Sequence, residues 1–151
     1  MIESRLAFKA HVTLGDMVVI GQSAHGFRRV VPITGGTFEG PRARGRVMPT
    51  GADFQFVRPD GVLELEARYA LETHDGVPIA VVNRGIRRAP AEVSERLSRG
   101  EIVPPSEYYF RTCAQFEAPN GSDYDWVNAA LFVGVAERLP NAAVVAFYEV
   151  L

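Results

Sequence analysis

Residues 53–83 read DFQFVRPDGVLELEARYALETHDGVPIAVVN. Asp60-Gly61 and Asp75-Gly76 each separate two runs in which apolar and polar residues alternate, a spacing typical of tight antiparallel hairpins. A sheet built from such hairpins must curl or close, because a free strand edge would pair with other chains. The three strands predicted in this stretch are Asp53–Arg58, Val62–Glu72 and Val77–Asn83.

The strand Val62–Glu72 has two different faces, since successive side chains of a strand point in opposite directions. The alternation alone does not decide which face is turned inward. One face carries Leu63, Leu65, Ala67, Tyr69 and Leu71, and the other carries Glu64, Glu66, Arg68 and Glu72.

The rest of the chain also favours short strands. Ala91–Arg99 is the one predicted helix, with Pro90 ahead of it, Gly100 after it and an apolar pair at Val93 and Leu97. Residues 34–36, Thr-Gly-Gly, permit a bend. The other predicted strands are Leu6–Leu14, Met17–Ile20, Phe27–Ile33, Phe38–Arg46 with a break at Gly40-Pro41, Arg46–Pro49, Tyr108–Phe116, Asp125–Ala136 and Ala143–Val150. The chain is thus predicted to be all-β, one domain over residues 1–151, with about nine or ten antiparallel strands in a β-barrel or strongly curved sandwich and one short helix.

The composition argues against several classes of function. The net charge of −2 disfavours nucleic acid as a partner. No run approaches the roughly 18 apolar residues of a membrane helix, and residues 1–5 do not begin a secretory signal. The single cysteine, Cys113, suits a reducing compartment, so a cytoplasmic location with no membrane partner is expected. The three histidines are not spaced as metal ligands and no phosphate-binding glycine loop occurs, so neither a metal nor an organic cofactor is expected.

Several stretches resemble one bacterial family, domain of unknown function 3237. They are Pro32–Gln55, Arg68–Glu72 before Asp75-Gly76, Asn83 followed by Gly85 and Arg87, Tyr109–Thr112, and Tyr124 with Trp126, Asn128 and Gly134. The resemblance runs from about Gly26 to Val150. It implies a calycin-like β-barrel, the broad architecture of lipocalins and allene oxide cyclase. Phe54 and Val127 stand where this family commonly has tryptophan and leucine, and Cys113 where proline is common.

Asp53 is the first candidate for a catalytic residue. It follows Gly51-Ala52, and as a carboxylate between apolar walls it would act as a general acid or base. The alternative is a side chain that caps a turn. Arg68 and Arg87 are candidates for stabilising negative charge that develops on a substrate, with ion pairs to nearby glutamates as the alternative role.

The candidate substrate-binding residues are polar or aromatic side chains of the predicted strands. Trp126 and Asn128 would form a stacking wall with a polar handle on one strand face, unless they are a core tryptophan and an asparagine that bonds backbone. Tyr109 and Arg111 share a face and would add to the same lumen. The complete set is Glu39, Gln55, Asn83, Tyr109, Arg111, Trp126 and Asn128.

We therefore expect a cofactor-independent small-molecule enzyme that performs isomerisation, cyclisation, dehydration or lactone chemistry in the barrel lumen. The alternative is a non-catalytic small-molecule binding protein of the lipocalin type. A third interpretation is an assembly module that forms a homodimer through an exposed sheet edge, with Ala143–Val150 as that edge.

Overall fold

The computed structural model describes residues 1–151, and ten strands account for most of the chain. One α-helix and two short 3₁₀ helices interrupt the strands. The strands are β1 (Ser4–Leu14), β2 (Val18–Ser23), β3 (Gly26–Glu39), β4 (Gly45–Val47), β5 (Gly51–Val57), β6 (Leu63–Thr73), β7 (Pro78–Arg88), β8 (Tyr109–Glu117), β9 (Phe132–Leu139) and β10 (Ala142–Val150). The α-helix is α1 (Ala91–Ser98), and the 3₁₀ helices are Pro105–Glu107 and Asp125–Ala129.

Eight strands close into an antiparallel barrel, in the order β1, β10, β9, β8, β7, β6, β5, β3 and back to β1. Closure leaves these eight without a free edge. The predicted all-β barrel with one short helix is thus confirmed. Of the two remaining strands, β2 pairs with β3, and the short β4 lies between β3 and β6.

A bend in β3 makes this closure possible. Its first half pairs with β5, and its second half crosses to pair with β1. Gly35 and Gly36 lie at the bend with φ of 147° and 132°, values that side chains with a Cβ rarely adopt. At Gly36 a Cβ would also lie 1.9 Å from the carbonyl oxygen of His11. The predicted bend is therefore a site where two backbones approach closely.

The apolar face of β6 points into the barrel. Leu63, Leu65, Ala67, Tyr69 and Leu71 are all buried, which settles the question that the alternation left open. The charged face is turned outward.

Five phenylalanines fill one half of the barrel. Their ring centroids lie 4.9 to 5.4 Å apart in tilted and edge-to-face pairs, which is favourable geometry for aromatic side chains. All five side chains are buried and form an aromatic part of the core. The residues are Phe8, Phe38, Phe116, Phe132 and Phe147.

The prediction of a strand over Asp125–Ala136 is wrong in its first half. Asp125–Ala129 is a 3₁₀ helix, and β9 begins only at Phe132. The physical reason lies in Asn128, whose side chain accepts from the backbone N–H of Ala118 at 2.8 Å and donates to its carbonyl at 2.9 Å. These two bonds replace the ladder bonds that a strand would make here.

The expected edge role of the C-terminal strand is also wrong. β10 pairs with β1 on one side and with β9 on the other, so both of its edges are occupied. Two strands are longer than predicted: β3 continues past Ile33 to Glu39, and β7 continues past Asn83 to Arg88. The predicted strand Phe38–Arg46 is wrong, because its ends belong to β3 and β4 and residues 40–44 are not in a strand. The other boundaries differ by only a few residues. No helix in the structure has the length and apolar character needed to span a membrane.

Candidate functional site

Two adjoining cavities lie in the barrel, and none of the five clustered phenylalanines lines either of them. The inner cavity has a volume of about 40 Å³ and the mouth about 310 Å³. Both are lined by Leu14, Asp53, Phe110 and Ala143, which places Asp53 at the boundary between them. The predicted hollow is thus present, and Asp53 reaches it.

Asp53 belongs to a short chain of polar side chains. Asp53 and Gln55 are two residues apart on β5 and so face the same side of the sheet. The amide of Gln55 donates to Asp53 Oδ2 at 2.6 Å, and Arg29 Nε donates to Gln55 Oε1 at 2.8 Å. Arg29 lies directly opposite Gln55 in the β3–β5 register. Gln55 therefore holds the carboxylate of Asp53 in one orientation.

The surroundings of Asp53 change its acidity. Burial raises the pKa of Asp53 to about 6, against the opposing effects of the Gln55 hydrogen bond and the charges of Arg29 and Arg87. A carboxyl group with such a pKa exchanges its proton readily near neutral pH. This property is typical of a general acid or base.

Three buried polar atoms that border the inner cavity have no hydrogen-bond partner in the protein. They are Asp53 Oδ1, Asn83 Oδ1 and Thr112 Oγ1. Asp53 and Asn83 lie at the same level of the barrel, because both are paired with Ala67 of β6, whose small side chain separates them. Unpaired polar atoms in an apolar interior are costly, and a hydrogen-bonding partner in the cavity would reduce this cost.

Three arginines surround the mouth, namely Arg29, Arg87 and Arg138. Burial, together with the charges of Arg138 and Arg29, lowers the pKa of Arg87 to about 10. Of these three arginines, only Arg87 is predicted from the sequence. Arg29 and Arg138 are not predicted, and neither is Thr112 of the inner cavity. The structure contains no group of three or more histidine, cysteine, aspartate or glutamate side chains that could hold a metal ion.

Four of the proposed site residues lie outside the cavity. Arg68 is exposed on the outer face of β6 and donates to Glu66 at 3.0 Å, the ion pair considered as its alternative role. Glu39 is exposed near the end of β3, and Tyr109 and Arg111 are exposed on the outer face of β8. These four do not converge with Asp53.

Trp126 and Asn128 do not line the cavity either. The indole of Trp126 packs under the guanidinium of Arg42, 3.7 Å from its ring centroid, and against Phe132 at 5.9 Å. It therefore adjoins the phenylalanine cluster that fills one half of the barrel. The predicted stacking wall is absent, because both residues belong to a 3₁₀ helix instead of a strand face.

The proposed residues that do converge are Asp53, Gln55, Asn83 and Arg87. The fold and this site define a small antiparallel β-barrel protein in which several polar side chains line a partly apolar cavity. The chain belongs to the family described as "Protein of unknown function (DUF3237)", which matches residues 2–150. The family resemblance seen in the sequence is thereby confirmed.

Known relatives share the fold over their full length. A UPF0311 protein of Rhodopseudomonas palustris is 42% identical over 150 residues, covering 99% of this chain and 97% of its own. A crystal structure described as a beta-barrel like protein, from Acinetobacter baumannii, is 38% identical with a TM-score of 0.87, covering 100% of this chain and 97% of its own. A structure described as an enzyme from Penicillium herquei has a TM-score of 0.73 at 21% identity, covering 99% and 95%. The last of these shows similarity of fold alone.

Proposed function

We propose that this protein is an enzyme that rearranges a small, partly apolar molecule by proton transfer at Asp53. The reaction class is isomerisation, cyclisation, dehydration or lactone chemistry, carried out by side chains of the barrel. One observation carries the proposal: Asp53 lines the inner cavity and has one buried carboxylate oxygen without a hydrogen-bond partner, while Gln55 orients the other oxygen. That a protein of the same fold is described as an enzyme agrees with the proposal.

The chemistry follows from the groups around Asp53. The carboxylate removes a proton from a carbon of the substrate, and the electron pair of that C–H bond moves into an adjacent carbonyl group. The positive charge of Arg87, whose side chain lines the same mouth, stabilises the oxygen that becomes negative. The carboxyl proton of Asp53 exchanges with water, and Asp53 then donates a proton to another atom of the same molecule, so the enzyme is regenerated.

A binding protein of the lipocalin type is the competing function, because an enclosed lumen can store a ligand without changing it. Storage does not require a carboxyl group whose pKa is raised to about 6 by burial. An ionisable group in an apolar cavity costs stability, and proton transfer gives it a use.

The test is hydrogen exchange in heavy water. The purified protein is incubated in D₂O with a bacterial metabolite extract, and mass spectrometry follows compounds that gain deuterium at carbon. We expect a compound that gains deuterium with the wild type and not with Asp53→Asn. Asp123→Asn, which removes an exposed carboxylate, is the control and should behave as the wild type. A compound retained equally by wild type and Asp53→Asn, without deuterium uptake or conversion, would instead establish the storage function.

A further inference from the structure

Two groups among the fifteen arginines of this protein have different environments. Eight arginines form ion pairs with carboxylates in partly or fully exposed positions. The three that line the cavity mouth have no carboxylate within ion-pair distance. The mouth therefore contains three partly buried positive charges without a carboxylate in contact with them.

The guanidinium groups of Arg87 and Arg138 make no hydrogen bond within the protein, and Arg87 only approaches the ring of Phe110, at 5.8 Å from its centroid. Arg29 has one partner, the neutral amide of Gln55. Burying charges without partners is unfavourable, and these arginines also repel each other. Burial and that repulsion lower the pKa of Arg29 as well as that of Arg87.

The two acids of the mouth offset these three charges only in part. Asp53 is held by Gln55, and Asp16 is exposed at the rim without a hydrogen bond to any arginine. With Asp53 and Asp16 both ionised, three positive charges face two negative ones, and protonation of Asp53 increases the excess. The mouth is thus built for a ligand that brings negative charge.

We propose that the substrate is a compact carboxylic acid, whose carboxylate is held by Arg87 and Arg138 at the mouth while its uncharged end passes Asp53 toward Asn83 and Thr112. This inference rests on the proposed function. A guanidinium fork matches the planar carboxylate with two parallel hydrogen bonds. Phosphate sites commonly add a glycine-rich loop or a helix N-terminus. Here α1 presents its last turn, Leu97 and Ser98, to the mouth instead.

The size of the two cavities restricts this acid. The mouth, at about 310 Å³, accommodates a small molecule, whereas the inner cavity of about 40 Å³ admits little more than one small group. Asn83 Oδ1 accepts a hydrogen bond, so a hydroxyl group is the fitting inward end. Asp53 would remove a proton from a carbon that is next to the substrate's carboxylate or conjugated with it. The electron pair of that C–H bond then delocalises onto the carboxylate oxygens, which Arg87 and Arg138 hold.

The experiment compares charged and neutral probes of the same shape. Acetate and benzoate are titrated against acetamide and benzamide, with phenyl phosphate as a further probe, and binding is followed by NMR chemical shifts. We expect saturable binding of at least one carboxylate and none of its amide. Arg87→Gln and Arg138→Gln should each weaken that binding by about tenfold or more. Arg84→Gln, which alters an exposed arginine of the same strand that pairs with Glu66, should leave it unchanged.

Three results would overturn the inference: no saturable binding of either carboxylate, equal binding of the amide, or a preference for phenyl phosphate. Circular dichroism verifies that each variant folds, and Arg87→Lys, which keeps the charge, should retain more affinity than Arg87→Gln. Asp53→Asn separates this inference from the proposed function. It should abolish deuterium exchange while binding the carboxylate at least as tightly, because it removes a negative charge from the site.

Discussion

Gln55 donates a hydrogen bond of 2.6 Å to one oxygen of Asp53 and leaves the other oxygen without a partner. The bond fixes the orientation of the carboxylate, and Asp53 is one of the residues that line the inner cavity. Asp53 is therefore positioned without being neutralised. Burial and the hydrogen bond from Gln55 act in opposite directions on the pKa of Asp53.

Asp53 should lower the stability of the protein near neutral pH. Since burial raises its pKa from 3.8 to about 6, the folded protein holds this proton more tightly than the unfolded chain does. The stability contributed by protonated Asp53 is present below about pH 4 and is lost as the pH rises to about 6. Asp53→Asn should accordingly raise the free energy of unfolding at about pH 7.5 by up to about 3 kcal/mol, and by much less at about pH 4.

Urea unfolding of both proteins at the two pH values provides the measurement. Asp123→Asn, on the exposed surface, is the matched control and should show no such pH dependence. An equal effect of Asp53→Asn at both pH values would show that burial does not perturb this carboxyl group.

Gln55→Leu should make Asp53 still harder to ionise. The hydrogen bond from Gln55 opposes the effect of burial, so its loss raises the pKa of Asp53 above about 6. A hydrogen bond to a charged group contributes about 1.5–3 kcal/mol, which corresponds to a shift of about one to two pH units. ¹³C NMR titration of the aspartate carboxyl groups measures this shift without any substrate.

The matched control is Gln115→Leu, which removes an exposed amide from the outer face of β8. It should leave the titration of Asp53 unchanged. If Gln55→Leu also left it unchanged, Gln55 would have no part in positioning the carboxylate.

The sequence was sufficient for the half of the site that lies on regular hairpins. Asp53 and Gln55 share a face by simple alternation, and Asn83 follows in the next-but-one strand. Alternation failed at Trp126 and Asn128, because an apolar–polar pattern can also occur in a 3₁₀ helix held by side-chain bonds to the loop after β8. The apolar–polar pattern within one segment does not show a side-chain hydrogen bond to a residue in another segment.

Arg29 and Arg138 could not have been selected from the sequence. They are two of sixteen basic residues, and their approach to Asp53 depends on the β3–β5 register and on closure of the barrel. Arg29 lies two residues before the buried Val31 and so shares its face of β3, which indicates an inward side chain. The local sequence does not show that Arg29, and not the adjacent Arg28, belongs to the site. Charge placement in a closed barrel is a property of the topology.

Gly134→Ala should disturb the polar wall of the cavity. Gly134 is paired with Thr112 in the β8–β9 register, and a Cβ at position 134 would lie 2.0 Å from Thr112 Oγ1 and 3.0 Å from Val145 Cγ1. Overpacking of this kind typically costs about 1–3 kcal/mol of unfolding free energy. Thr112→Ala removes the group that clashes, so the double variant should be destabilised by less than the sum of the two single changes.

Urea unfolding of the two single variants and the double variant completes the thermodynamic cycle. Strictly additive effects would mean that Gly134 is required for a reason other than contact with Thr112. A coupling of the expected sign would show that the glycine exists to accommodate the threonine beside the cavity.

Asn128→Ala should destabilise the protein without affecting the site. Its amide bridges the N–H and the carbonyl of Ala118 at 2.8 and 2.9 Å, which ties the loop after β8 to the 3₁₀ helix that precedes β9. Loss of two such bonds should cost about 1–2 kcal/mol, because the backbone groups of Ala118 lose their partners. Carboxylate binding and deuterium exchange should remain at the wild-type level, since Asn128 lines neither cavity. Asn120→Ala, in the same loop but exposed and without a side-chain hydrogen bond, should change neither property. If Asn128→Ala instead reduced carboxylate binding at unchanged stability, Asn128 would be a substrate-binding residue, as the sequence predicts.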